Sequence, residues 1–256
     1  MKKNYFDLTG KVAVITGASS GLGVQMAKAL ANQGADIAVL ARRIEKLEGV
    51  AKEIEALGVQ CLPVKCDVTN TEMVRAARDQ IYAKFGHADI IVNSAGTGGI
   101  TPTVDVTDAQ LDQEIQIDLV GTFKMAREFA PGMIQNGFGR IINIASMYGL
   151  VGNMAAPSAP YHAAKGAVVN LTRALAAEWG KEGITVNSIC PGYFITELTE
   201  STLKSDWFTE YAKGAIPLGR YGREGELDTT VIYLASPLSS FVNGMNIAVD
   251  GGYTCI

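Results

Sequence analysis

Short apolar runs alternate with longer amphipathic segments along the whole chain, and this alternation restricts the possible folds more than any other feature. The runs are rich in valine and isoleucine, and the segments between them have a helical period. Near-continuous apolar strands are typical of a parallel sheet covered on both faces, because each crossover helix must return over the sheet. We interpret as strands the runs 11–16, 36–41, 61–65, 89–93, 140–145, 184–189 and 245–250.

The intervening segments predict helices, and the whole chain predicts a single domain. A length of 256 residues is within the range of one α/β domain, and no linker or internal repeat divides it. We therefore expect an α/β fold over 1–256, with a doubly wound, seven-stranded parallel sheet flanked by helices on both faces. Ligands should bind beyond the carboxyl ends of its strands. The expected helices lie near 22–33, 43–57, 70–85, 108–136, 160–181 and 224–235.

Composition argues against several classes of protein. Apolar residues make up 48% of the chain and charged residues 19%, which allows a buried core and is too little charge for disorder. The net charge of −4 argues against nucleic acid or an anionic membrane surface as a partner. Neither a signal peptide nor a run of about 18 apolar residues occurs, so we expect a cytoplasmic protein.

The cysteines do not have the pattern of a metal site. Cys61, Cys66, Cys190 and Cys255 lie in apolar or strand-like surroundings, without C-x-x-C spacing or histidine partners. We expect reduced, mostly buried thiols and no metal.

A glycine-rich turn follows the first predicted strand. The segment TGASSGLG, residues 16–23, joins that strand to a predicted helix. Gly17, Gly21 and Gly23 let the backbone turn sharply and approach a ligand closely, while the helix start offers free N–H donors. At the first strand–helix junction this pattern predicts a pyrophosphate site, although a purely structural turn is the alternative.

The end of the second predicted strand indicates which dinucleotide binds. A site for NAD usually has a carboxylate there to accept from the adenosine 2′-hydroxyl, whereas this chain has Ala41 followed by Arg42 and Arg43. Two guanidiniums without an opposing acid suit a 2′-phosphate. We therefore favour NADP(H), with NAD(H) still possible; the alternative is that one or both arginines are surface charges.

Tyr161 and Lys165 lie four residues apart in the segment YHAAK, which is expected to be helical. Four residues are about one helical turn, so both side chains project from the same face. A cation about 4 Å from a phenol stabilises the phenolate by about 4 kcal/mol at an effective dielectric near 20, which suits an acid/base pair. Spacing alone leaves open that Tyr161 packs against a neighbour while Lys165 is solvated.

These features together resemble the short-chain dehydrogenases/reductases, and the resemblance covers essentially the whole chain in order. The resemblance implies an NAD(P)-dependent oxidoreductase with a Rossmann fold, usually a homotetramer. The motifs that carry it are TGASSGLG, NSAG at 93–96, Ser146, Tyr161 with Lys165, PGYFIT at 191–196 and VDGG at 249–252.

The resemblance also implies the residues that bind the cofactor. The glycine-rich turn would hold the pyrophosphate through Gly17, Ser19, Ser20, Gly21, Leu22 and Gly23. Asp67 and Val68 would flank the adenine, and Asn93, Ala95 and Gly96 would line the ribose side. The nicotinamide end would be held by Pro191, Gly192, Phe194 and Thr196, with Tyr161 and Lys165 beside it.

In the implied reaction Tyr161 exchanges a proton with the substrate oxygen and Ser146 stabilises the charge that develops on that oxygen. One position departs from the family pattern, because Asp118 stands where an asparagine usually orders a water beside the lysine. We hypothesise that Asp118 keeps this relay and that its charge, which opposes Lys165, shifts the oxidation profile toward alkaline pH. The alternative is that the substitution has disabled the site.

The substrate is less well defined than the reaction. Length and the segment PLGRYGREGEL resemble sugar-acid or polyol oxidoreductases of the gluconate 5-dehydrogenase type, and a 3-oxoacyl reductase is the alternative. A catalytically weak dinucleotide-binding sensor or scaffold is the alternative of another class. Segment 197–216 is expected to form a lid over a small ketone or alcohol, or else an oligomer contact. Neither this segment nor the loop between Ser146 and Tyr161 carries an arginine placed to bind a carboxylate, which favours neutral substrates.

Overall fold

The computed structural model describes residues 4–256, and the predicted domain therefore extends three residues beyond the described part. The seven strands predicted from the apolar runs are confirmed, with bounds that differ by two residues at most. They are β1 (Val12–Thr16), β2 (Asp36–Ala41), β3 (Cys61–Lys65), β4 (Ile90–Asn93), β5 (Gly139–Ile144), β6 (Ile184–Pro191) and β7 (Asn246–Val249).

The α-helices lie between the strands as the periodicity predicts. Two short helices, α7 and α8, occupy the segment that was predicted to cover the substrate. The helices are α1 (Gly21–Ala31), α2 (Ile44–Glu55), α3 (Thr71–Phe85), α4 (Asp108–Glu114), α5 (Gly121–Asn136), α6 (Ala159–Trp179), α7 (Glu200–Leu203), α8 (Asp206–Ala215) and α9 (Asp228–Ala235).

All seven strands are parallel and have the order β3-β2-β1-β4-β5-β6-β7. The chain runs outward from β1 to β3 and then returns to place β4 on the other side of β1. Strand order thus reverses between β1 and β4, where Val14 pairs with Ile91. In a doubly wound sheet the crevice at such a reversal is the expected ligand site.

Alternate residues of β1 pack on opposite faces of the sheet. Ala13 and Ile15 belong to a core that includes Leu30 of α1, whereas Val12 and Val14 belong to a second core that includes Phe129 of α5. Every residue of β1 is buried, as expected for a central strand with helices on both faces. These two cores fix the position of the carboxyl ends of the strands.

The long helix predicted for 108–136 contains one irregularity. Residues Ile115–Val120 form a π-helical segment between α4 and α5. Such segments widen the helix locally and often occur at functional sites. Asp118 lies within it and is fully buried. The last predicted helix also begins later than expected, at Asp228 rather than near residue 224.

Within residues 4–256, no helix combines the length and the apolarity that a membrane-spanning segment needs.

Candidate active site

A cavity of about 1250 Å³ lies at the carboxyl ends of the strands, at the reversal between β1 and β4. It extends from the glycine-rich turn after β1, past the ends of β2, β4, β5 and β6, to α7 and α8. Its volume suits a dinucleotide together with a small substrate, since pockets for drug-sized ligands measure about 300–1000 Å³.

The glycine-rich turn brings backbone close to backbone at one end of this cavity. Gly17 has a φ of +66°, and a Cβ atom there would lie 2.7 Å from the carbonyl oxygen of Ser94. Thr16 Oγ1 accepts from the backbone N–H groups of Ser94 and Ala95, at 3.0 Å each. This packing leaves the N-terminus of α1 open to the cavity, where its N–H groups can hold a pyrophosphate.

At the end of the cavity next to β2, basic side chains hold a carboxylate. Arg43 Nη2 lies 3.1 Å from Glu197 Oε2 and donates to Ser19 Oγ at 3.0 Å and Ser20 Oγ at 3.2 Å. Lys46 Nζ lies 2.5 Å from Glu197 Oε1. Hydrogen bonds from Lys46 and Arg43 lower the pKa of Glu197 to about 2, so it is a carboxylate. The donor set therefore fits a negatively charged group. The expectation that no acid opposes the two arginines is wrong for Arg43, because the fold brings Glu197 to it.

Arg42 lies beside this group of side chains. It lines the same cavity and makes no ion pair or side-chain hydrogen bond within residues 4–256. Its guanidinium can therefore bind a further anion.

Nearly all the residues predicted to bind the cofactor line the cavity. Asn93 is the exception, because it is 2% exposed and donates from Nδ2 to Asn143 Oδ1 of the neighbouring strand at 2.9 Å. The structure does not bring this side chain to the ribose side of the site. The predicted residues that do line the cavity are Gly17, Ser19, Ser20, Gly21, Leu22, Gly23, Arg42, Arg43, Asp67, Val68, Ala95, Gly96, Tyr161, Lys165, Pro191, Gly192, Phe194 and Thr196.

The predicted catalytic residues meet near the middle of the cavity. Ser146 follows β5 and accepts a hydrogen bond from the Tyr148 backbone N–H at 3.1 Å, so it caps a short turn while its hydroxyl faces the cavity. Tyr161 and Lys165 lie one turn apart on α6, with Lys165 Nζ 5.6 Å from the centre of the Tyr161 ring. Tyr161 and Lys165 therefore project from the same face of α6, as expected.

Lys165 is held at fixed points in the interior. Its Nζ donates to the backbone oxygen of Ile144 at 3.0 Å and lies 2.8 Å from Asp118 Oδ1. Asp118 Oδ2 accepts from the Thr97 backbone N–H at 3.1 Å. Burial alone lowers the pKa of Lys165, but the Asp118 carboxylate, aided by Tyr161, outweighs it and raises the pKa above its ordinary value. Lys165 is therefore a cation at neutral pH.

Phenolic side chains form the wall next to Ser146 and Tyr161. Tyr148 Oη lies 2.5 Å from Tyr193 Oη, and the Tyr148 ring stands edge-on to Tyr161 at 6.4 Å between centres. The His162 ring stacks on Tyr148 at 4.6 Å, as a packing residue would. Burial raises the pKa of Tyr148 well above its ordinary value, so its hydroxyl stays protonated and able to hydrogen-bond.

Several of these residues carry no signal that identifies them from sequence. Lys46 and Glu197 lie 151 positions apart, and only the fold brings them together. Glu114 also carries no signal in the sequence. Burial is the larger cause, and the charge of Asp118 the smaller one, that raises the pKa of its carboxyl. The sequence shows the tyrosines of YGLVG and PGYF, but it does not show that Tyr148 contacts Tyr193.

Comparison with known proteins decides the family. The family model described as "Enoyl-(Acyl carrier protein) reductase" matches residues 17–254. Gluconate 5-dehydrogenase of Gluconobacter oxydans is 37% identical over 250 residues, which cover 97% of this chain and 96% of that protein. The chain belongs to the short-chain dehydrogenases/reductases.

Other short-chain dehydrogenases/reductases are about equally similar. Galactitol 2-dehydrogenase (L-tagatose-forming) of Cereibacter sphaeroides is 36% identical over 252 residues, covering 98% of each chain. The crystal structure of a gluconate 5-dehydrogenase from Burkholderia cenocepacia, in complex with NADP and tartrate, superposes with a TM-score of 0.94 at 37% identity and covers 98% of each chain.

As a short-chain dehydrogenase/reductase, the protein is an NAD(P)-dependent oxidoreductase that interconverts a secondary alcohol and a ketone. The fold and the reaction class expected from the sequence are therefore confirmed. The cavity matches this class, since it combines a glycine-rich turn at a helix start with a phenol, a hydroxyl and a buried cation at its centre.

Proposed function

We propose that this enzyme interconverts a neutral polyol and the corresponding hydroxyketone with NADP(H), using Tyr161 as general acid/base. The observation that carries the substrate assignment is the charge of the cavity. Around Ser146 and Tyr161 its lining side chains in residues 4–256 include a single cation, Lys165, which is paired with Asp118. A substrate carboxylate would have no free cation to bind, whereas polyol hydroxyls suit the hydroxyls and aromatic faces of Tyr148 and Tyr193.

The proposed chemistry assigns one task to each central residue. Tyr161 donates a proton to the substrate oxygen in reduction and accepts it in oxidation. Ser146 donates a hydrogen bond to that oxygen and stabilises its developing charge. Lys165 supports the Tyr161 phenolate, and Asp118 holds Lys165 in place and charged. The bound nicotinamide supplies or accepts the hydride.

We assign the cofactor-binding roles from the same cavity. Asp67 and Val68 flank the adenine, and Ala95 and Gly96 lie on the ribose side. The pyrophosphate is held by Gly17, Ser19, Ser20, Gly21, Leu22 and Gly23. Arg42 and Arg43 favour a 2′-phosphate and hence NADP(H), because Arg42 has no ion pair within residues 4–256 and Arg43 lies within reach of an anion, as its contact with Glu197 indicates. Pro191, Gly192, Phe194 and Thr196 hold the nicotinamide end.

We also propose a lid over the substrate and a homotetrameric, cytoplasmic protein. Residues 197–216 contain α7 and α8, and Leu198 and Trp207 of this segment line the cavity. Exposed apolar side chains near the C-terminus, Phe241 and Met245, offer a surface for subunit contacts. Light scattering of the purified protein checks the subunit number.

A substrate panel tests the proposed reaction. We expect turnover of galactitol and threitol with NADP⁺, and kcat/KM values for gluconate at least about tenfold lower, since a buried unpaired charge costs at least about 1.4 kcal/mol. Preference for gluconate would contradict the neutral-substrate assignment. Preference for a 3-oxoacyl thioester with NADPH would favour the reductase alternative, and absence of turnover with binding of NADPH would favour a sensor or scaffold.

A further inference from the structure

Glu197 places a carboxylate where the adenosine end of the cofactor must bind. It lies one residue after Thr196, at the start of the proposed lid, and reaches the side chains that follow β2 and precede α1. Two cations, Arg43 and Lys46, contact its two oxygens. The lid is thus tied to the cofactor site by an internal anion.

We propose that Glu197 acts as a latch: without cofactor it occupies the 2′-phosphate site, and NADP(H) displaces it. Binding of the 2′-phosphate then releases the start of the lid. The proposal rests on the preference for NADP(H) proposed above. The latch consists of Glu197 with its partners Arg43 and Lys46. Lys46 then belongs to the phosphate site, together with Arg42, Ser19 and Ser20.

Charge and exposure allow this exchange. A phosphate monoester carries a charge of about −1.5 to −2 and three acceptor oxygens, whereas the carboxylate carries one charge and two oxygens. All three side chains of the latch are 45–49% exposed, so their ion pairs are weak enough for a better anion to replace. The 2′-hydroxyl of NAD(H) has no charge with which to compete.

The latch also connects to the backbone of the lid. The Thr196 backbone N–H donates to Thr199 Oγ1 at 2.9 Å, and Thr199 Oγ1 donates to the Phe194 backbone oxygen at 2.7 Å. Glu197 lies inside this turn, three residues before the start of α7. Release of its side chain frees the segment 197–202, up to Leu203 of α7, which lies with Phe208 of α8 in a buried apolar cluster.

Nucleotides without a nicotinamide isolate this effect from catalysis. Calorimetric titration of the full chain compares adenosine 2′,5′-bisphosphate with AMP, which lacks the 2′-phosphate. We expect Glu197→Gln to bind the bisphosphate about 2- to 5-fold more tightly than the wild type and to bind AMP with unchanged affinity. The matched control is Glu200→Gln, which removes a lid carboxylate that pairs with Lys204 instead.

Hydrogen exchange of the segment 197–202 measures the release of the start of the lid directly. In the wild type the bisphosphate should increase exchange there and AMP should not; in Glu197→Gln exchange should already be high without nucleotide. Unchanged or reduced exchange in the wild type with the bisphosphate would overturn the latch. Weaker AMP binding by Glu197→Gln would also overturn it, because Glu197 would then accept from the 2′-hydroxyl.

The binding data separate failure of the latch from failure of the cofactor assignment. Equal affinity of the wild type for the two nucleotides would contradict the preference for NADP(H). A preference for the bisphosphate that Glu197→Gln leaves unchanged would contradict the latch alone. Lys46→Gln should weaken bisphosphate binding several-fold and leave AMP binding unchanged, whereas Lys52→Gln on the same helix should alter neither.

Discussion

Lys165 Nζ lies 2.8 Å from Asp118 Oδ1, and the two residues are 5% and 0% exposed. A buried cation without a partner costs several kcal/mol, so each of these groups makes burial of the other tolerable. The arrangement fixes the ammonium next to Tyr161, but it also places a negative charge beside that ammonium. The negative charge of Asp118 partly cancels the effect of the Lys165 charge on Tyr161.

Asp118→Asn should therefore move the alkaline limb of the oxidation profile to lower pH. The amide and the Ile144 backbone oxygen still accept hydrogen bonds from Lys165, but no carboxylate offsets its charge. While Lys165 is protonated, the Tyr161 phenolate therefore forms more readily. The measurement is kcat for oxidation across the alkaline range, in the wild type and the variant. Asp108→Asn, which removes an exposed carboxylate from the first turn of α4, is the control. An unchanged limb in Asp118→Asn rejects the electrostatic role.

Gly149→Ala should damage both stability and activity. A Cβ atom at Gly149 would lie 2.7 Å from the Lys165 backbone oxygen, so α6 must shift with Tyr161 and Lys165 on it. We expect a loss of about 1–3 kcal/mol in the free energy of unfolding, together with a lower kcat. Urea unfolding and steady-state kinetics measure the two effects.

Gly152→Ala is the matched control for this change. No atom lies within 4 Å of a Cβ at Gly152, so stability and kcat should stay close to the wild type. Equal stability of the two variants would show that the turn after Ser146 does not fix the position of α6.

The sequence predicts the sheet well because burial on both faces leaves a clear apolar run at each strand. It predicts Ser146 because this residue directly follows the end of a strand in the family pattern. It predicts Tyr161 and Lys165 because the two residues lie four positions apart in the chain. It does not predict the contacts of Glu197 with Lys46 or of Tyr148 with Tyr193, since each depends on elements far apart in the chain. It also does not predict the hydrogen bond from Asn93 to Asn143, because this contact depends on strand register.

The cysteines should differ sharply in reactivity. Burial raises the pKa of Cys61 to about 12 and of Cys66 to about 11, and Cys190 is also buried, whereas Cys255 is exposed. A raised pKa keeps the buried thiols protonated near pH 8, and the thiolate is the reactive form. Titration with a chromogenic disulfide at pH 8 should therefore detect about one thiol per native chain and all the cysteines after unfolding. Rapid reaction of several thiols in the native protein would contradict this burial.

Tyr148→Phe should weaken binding of a polyol without disabling proton transfer. The change removes the hydroxyl that lies 2.5 Å from Tyr193 Oη and leaves the aromatic wall in place. A lost hydrogen bond of about 1 kcal/mol corresponds to an increase of about fivefold in KM, with kcat within about twofold. Steady-state kinetics with a polyol checks this, and Tyr233→Phe, which alters a tyrosine outside the cavity, is the control. A fall in kcat with KM unchanged would show that Tyr148 acts in the chemical step instead.

The most direct test of the central claim is the turnover of Tyr161→Phe with NADP(H) and an accepted substrate. We predict that kcat falls by about 10²- to 10⁴-fold, the usual contribution of general acid/base catalysis. NADPH binding, measured by fluorescence titration, should weaken by no more than about fivefold, the effect of one lost hydrogen bond. Turnover equal to that of the wild type would contradict proton transfer by Tyr161.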